Sequence, residues 1–144
     1  MNTLFLLNFA SSFFLCGLIW IIQILHYPFF ARLDRENYSD HQQKHMVTIS
    51  FLVIPVMLIE LITSILLVMQ PSDFRFEFIA GLILVLIVWA STFLVQMPIH
   101  QKLLQGYDKK TIQKLVSTNW IRTIGWTAKS ILTLYLAFEL GELL

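Results

Sequence analysis

TISFLVIPVMLIELITSILLVM, residues 48–69, carries one charged side chain, Glu60, and one proline, Pro55. A hydrocarbon core of about 30 Å is crossed by about 20 apolar residues in a helix. Lipid offers no partners for backbone N–H and C=O groups, so an unbroken apolar run of this length is predicted to be helical. The run does not alternate apolar with polar, which excludes the strand of a transmembrane barrel.

Three more stretches read the same way, giving predicted spans at Leu4–Phe30, Thr48–Met69, Phe76–His100 and Asn119–Leu140. The predicted fold is all-α: an integral membrane four-helix bundle, one transmembrane domain over residues 1–144. The N-terminal run lacks the basic start and small-residue cleavage site of a secretory signal, so it reads as a retained helix. Composition agrees. The 144 residues are 57% hydrophobic and 13% charged, with mean hydropathy +0.72, against about 45–50% and about 25% in soluble domains. A net charge of +1 gives no basis for binding nucleic acid. The single cysteine, Cys16, lies in an apolar run and reads as an inert thiol.

Orientation follows from Lys and Arg. The connection after the first span holds Arg32, Arg35 and Lys44, and that after the third holds Lys102, Lys109, Lys110 and Lys114. The short middle connection has only Arg75. The bias places both long connections in the cytoplasm and both termini outside, in a plasma (inner) membrane. Each long connection is expected to hold a short interfacial helix leading into the next span.

A shift of 70 residues superimposes Pro28 on Pro98, Leu33 on Leu103, Gln43-Lys44 on Gln113-Lys114, and Thr48 on Thr118. This predicts two parallel helical-hairpin repeats related by an axis along the membrane normal. Coincidence between two similarly built hairpins is the other reading.

Polar side chains are costly in lipid and face a bundle interior or cavity. Gln23, His26 and Tyr27 share a helical face with Trp20. Trp89, Gln96 and His100 share another, and Asn119, Arg122, Trp126 and Lys129 a third. Together they predict an internal polar pocket near the cytoplasmic side, with all four histidines at one level. His41 and His45, at i, i+4, together with His100, are candidate metal ligands. A non-covalent haem, a single metal ion, or no cofactor at all are open alternatives. His26, Asn119, Arg122 and Glu60 are candidate catalytic residues, with imidazole for proton transfer and Arg122 and Asn119 for oxyanion charge. Gln23, Tyr27, Trp89, Gln96 and Trp126 are candidate substrate contacts. Glu60 and Lys129 lie at similar depth and are expected to pair, either as a structural ion pair or with Glu60 as a proton acceptor.

The stretch Asn119-Trp120-x-Arg122-Thr123, with the His26-Tyr27-Pro28 helix end, resembles small four-helix bacterial membrane proteins of the anthrone oxygenase-like family. The resemblance implies an oxygenase for a flat, hydrophobic aromatic substrate, with His26, Asn119, Arg122 and Trp126 at stake. The expected function is thus a membrane oxidoreductase acting on a lipophilic small molecule. The alternatives are a non-catalytic scaffold or accessory subunit, and a small transporter. The bilayer and a lipophilic molecule are the expected partners, with homo-oligomers open.

Overall fold

The computed structural model describes residues 3–33 and 35–141. They form four long helices: α1 (Thr3–Phe30), α2 (Tyr38–Met69), α3 (Arg75–Leu103) and α4 (Lys109–Glu139). No strand occurs among the described residues. α1, α2 and α3 are long and apolar enough to cross a membrane, with mean hydropathies of 2.1, 2.7 and 2.7. α4 is not, and the reason lies in what it buries. Its inward face carries Asn119, Arg122, Thr123, Lys129, Ser130 and Thr133, and these polar groups lower its average. Both helices that follow a long connection begin about ten residues before the predicted span, because residues 38–47 and 109–118 continue the helix without a break.

α1 packs against α2 and α4, and α3 packs against the same two, so the helices form a closed ring of neighbours. The outward surface is rich in exposed Phe, Leu and Ile, among them Phe51, Leu94, Ile124 and Ile131. Two apolar clusters lie inside. One, around Phe5, Leu67, Phe78 and Leu136, holds the end near the short connection. The other, around Leu15, Ile19, Leu103, Leu115 and Trp126, extends toward the long connections.

α1 and α3 each contain one π-helical turn, Ile22–His26 and Thr92–Gln96, displaced by 70 residues. Tyr27 N–H donates to Ile22 O, and Met97 N–H donates to Thr92 O. Pro28 and Pro98 follow directly. A proline has no N–H and its ring collides with the carbonyl one turn back, so each helix takes in an extra residue before it. The face presented to the interior therefore changes within the turn that holds Gln23 and Gln96. Pro55, on the exposed side of α2, produces no such turn.

The long connections meet each other. Tyr107 O–H donates to Ala31 O at 3.2 Å, the Tyr107 and Tyr38 rings stack edge to face at 5.4 Å, and the Arg35 guanidinium lies 5.0 Å above the Tyr107 ring. Gly106, at φ 135°, makes the turn out of α3 in a region L side chains rarely adopt. Asp108 then caps α4, accepting from Lys110 N–H at 3.2 Å and from the Thr111 hydroxyl. The Thr111 bond, with backbone N–H groups, holds its carboxyl below the usual carboxylate range. The cap's contribution is present at neutral pH and is lost as acid protonates Asp108 through that lowered value. Asp108→Ala is expected to melt earlier than the parent at pH 7, with the gap closing in acid; a pH-independent gap in detergent melts would contradict this.

Candidate functional site

Among the described residues, two polar layers and a cavity lie between the helices. The deeper layer is centred on Asn8, on the inward face of α1. Its Nδ2 donates to Thr63 Oγ1 at 2.9 Å, to Ser64 Oγ at 2.9 Å and to Glu60 O at 3.3 Å. Its Oδ1 accepts from Lys129 Nζ at 2.9 Å. The Glu60 carboxylate accepts from the Ser12 hydroxyl at 2.9 Å and from the Trp126 indole N–H at 3.0 Å. The expected direct Glu60–Lys129 ion pair is not formed: the ammonium donates to Asn8, which meets Glu60 only at its backbone carbonyl. Asn8 reaches between α2 and α4 and takes up the ammonium, while the carboxylate is turned toward Ser12 and Trp126.

The second layer runs from α4 through α1 to α3 and α2. Gln23 Oε1 accepts from Asn119 Nδ2 at 2.8 Å and from the Thr123 hydroxyl at 3.3 Å, and Gln23 Nε2 donates to Val116 O at 3.1 Å. Asn119 Oδ1 accepts from Arg122 Nε at 2.9 Å and Nη2 at 2.5 Å. Arg122 Nη2 also donates to Tyr27 Oη at 3.0 Å, which lies 3.0 Å from His100 Nε2. Gln42 Nε2 donates to His100 Nδ1 at 2.6 Å. With Nδ1 accepting, the ring proton sits on Nε2 and is donated to Tyr27 Oη. The Tyr27 oxygen then accepts twice, and its own proton is left to donate elsewhere.

That free donor borders a cavity of about 170 Å³ lined by α1, α2, α3 and α4. Its walls are mostly aliphatic and aromatic, including Ile19, Ile22, Val53, Met57, Phe93 and Trp126, and Tyr27, His100 and Arg122 lie at its inner end. Ile54 and Phe93, both in the lining, are exposed on the outer surface, so the cavity reaches the apolar exterior between α2 and α3. Two buried polar atoms of lining residues have no partner among the described residues: Trp89 Nε1 and Gln96 Oε1. Gln96 spends its Nε2 on Thr118, at 3.0 Å. Such orphaned groups cost about 1–3 kcal/mol each until something pairs with them.

The structure thus gathers Gln23, Tyr27, His100, Asn119 and Arg122 into one network, with Trp89, Gln96 and Trp126 on the cavity wall. Glu60 lies behind Trp126, outside the lining, and orients the indole. His26 is half-buried at the rim, sharing a 2.8 Å hydrogen bond with His45, and its ring lies 4.9 Å from Phe30. The metal set His41, His45 and His100 is not assembled. Tyr38, Gln42 and His45 make the inward stripe of α2, and His41 falls to one side of it, exposed. His45 and His100 do approach, with ring centroids 5.7 Å apart, but both His100 nitrogens are already bonded. Among the described residues no three His, Cys, Asp or Glu side chains are grouped as metal ligands, so this donor set does not fit a metal centre.

Asn8, Ser12, Thr63, Ser64 and Gln42 were not anticipated from the sequence. The spacings Asn8–Ser11–Ser12 and Glu60–Thr63–Ser64 place each set on one helical face and were the available signal. Comparison of the chain with protein-family profiles, curated proteins and solved structures finds no match.

Proposed function

We propose that this chain is an integral membrane protein that binds a lipophilic small molecule in the cavity and acts on it as an oxidoreductase of the oxygenase type. An apolar exterior around a hydrogen-bonded polar interior suits a protein dissolved in lipid, and on this reading α4 crosses the bilayer with the other three, its polar groups hidden by them. The π-helical turns 70 residues apart support two parallel hairpin repeats. The basic residues of the connections support a cytoplasmic position for the cavity's inner end.

The activity rests on one observation: a cavity open to the apolar exterior ends at Tyr27, His100 and Arg122, with Trp89 Nε1 and Gln96 Oε1 unpaired. Tyr27 and His100 exchange a proton with the substrate. Arg122, held by Asn119, stabilises oxyanion charge. Dioxygen is the oxidant, and a flat aromatic substrate lies against the wall that Trp89 and Trp126 help to form. This agrees with the oxygenase-like resemblance of the Asn119–Thr123 stretch. With anthrone as the probe and an oxygen electrode as the readout, purified protein is expected to consume dioxygen. Arg122→Gln and Tyr27→Phe are each expected to slow it about a hundredfold, and His41→Ala to leave it unchanged. No consumption above the blank would overturn the enzymatic reading.

A non-catalytic accessory subunit is the second reading, favoured by a shallow apolar hollow on α2 around Val47, Phe51 and Pro55 that could seat another helix. Its mark is loss of a partner on deletion and indifference to Tyr27→Phe.

A further inference from the structure

We infer that the cavity selects a lipophilic monoanion, with Arg122 as its headgroup anchor. This rests on the ligand-binding reading above and adds the charge. Three formally charged side chains are buried among the described residues, Glu60, Arg122 and Lys129. Glu60 and Lys129 lie in one layer and attract each other across it, although they make no direct ion pair, so their charges offset. Arg122, 7% exposed, has no carboxylate of the described residues within ion-pairing reach. Its partners are the Asn119 amide oxygen and the Tyr27 oxygen, both neutral, and both are taken by Nε and Nη2. Nη1 bonds to nothing among the described residues.

A buried ion whose partner is missing is strongly destabilising, and amide and phenol oxygens offset only part of that. The other titratable neighbours do not help. From α1 comes His26, from α2 His45 and from α3 His100, and an imidazole is neutral or cationic, never the counter-charge. The counter-charge therefore has to arrive with a ligand. The rest of the lining says what kind. The Tyr27 O–H is an additional donor suited to an oxyanion. The other walls are mostly apolar and lead outward past Ile54 and Phe93. A carboxylate or phenolate on an aromatic body pairs with Arg122 and accepts from Tyr27, entering from the lipid with its charge inward.

The test uses the full chain in phosphatidylcholine nanodiscs, titrated calorimetrically with 2-naphthoate and with its neutral counterpart 2-naphthalenemethanol, empty discs serving as the blank. Charge-assisted hydrogen bonds to Arg122 predict about tenfold or greater preference for the carboxylate. Arg122→Gln is expected to abolish that preference while leaving the alcohol's affinity unchanged. Val53→Trp, which fills the cavity, is expected to remove both ligands. If the parent binds the alcohol as tightly as the carboxylate and Val53→Trp removes both, the anion inference is overturned while the lipophile site stands. If neither ligand binds, or Val53→Trp changes nothing, the cavity reading falls as well. Should Arg122→Gln fail to assemble, the ligand comparison and Val53→Trp decide by themselves. Discs doped with phosphatidylglycerol identify the source. Competition with naphthoate assigns the anion to a lipid headgroup and its absence to a free molecule, and either supports the inference.

Discussion

Asn8→Leu is expected to lower the stability of the folded protein by about 1.5–3 kcal/mol, the range for a hydrogen bond to a charged group. Asn8 is 1% exposed and joins α1, α2 and α4 through one amide. Its bonds to Thr63 and Ser64 are neutral, and interhelical bonds of that kind average about 0.6 kcal/mol in lipid. They cannot supply the loss. The dominant contribution is Lys129, whose ammonium makes its one hydrogen bond among the described residues to Asn8 Oδ1. Leucine removes that acceptor and leaves the cation beside an aliphatic surface.

The same argument predicts coupling. Lys129→Met removes the ion, so the double variant Asn8→Leu/Lys129→Met is expected to recover part of the loss, with an interaction energy of about 0.5–3 kcal/mol. SDS-induced unfolding in mixed micelles provides the measurement. Strictly additive single effects would show that the ammonium is not what Asn8 holds.

Gly125→Ala is the second large effect, a loss of about 1–3 kcal/mol from overpacking. A Cβ at Gly125 would stand 2.6 Å from Val88 Cγ2 across the α3–α4 contact. Val88 is buried and β-branched, with one strongly preferred rotamer in a helix, so it has no room to swing aside. The helices must separate or the backbone must shift. Val88→Ala removes the obstructing methyl groups, and the pair Gly125→Ala/Val88→Ala is expected to regain most of the loss. Gly17 is the matched control. A Cβ there meets nothing within 4 Å, so Gly17→Ala is expected to stabilise α1 by about 0.5–1 kcal/mol. Equal effects at the two glycines would mean that close packing is not the cause.

Both effects turn on inter-helix contacts that the sequence showed only in outline. Polar stripes were legible where several large polar groups fell on one face, as with Gln23 and Tyr27 or Asn119 and Arg122. The smaller set Asn8, Ser11 and Ser12 passed as ordinary residues in an apolar run, because a short side chain signals little until its partner is known. His41 was misplaced for a different reason. A spacing of i, i+4 leaves two side chains about 40° apart around the helix, and near the edge of the inward stripe that separates a buried imidazole from an exposed one. His26, His45 and His100 lie together, but they do not form the metal set, since His100 is occupied by Tyr27 and Gln42.

The amino-acid sequence by itself determined the four long helices and the apolar character of their outer faces. Each of these depends on residues within a turn or two of one another. Only the tertiary structure decided which polar group meets which. Asn8 and Lys129 are 121 residues apart in the chain, and Tyr27 and Arg122 are 95 apart. Four helices packed around one interior bring Lys129 to the Asn8 amide in the same layer as the opposite charge of Glu60. They leave Arg122 at a cavity with neutral partners alone, Asn119 and Tyr27.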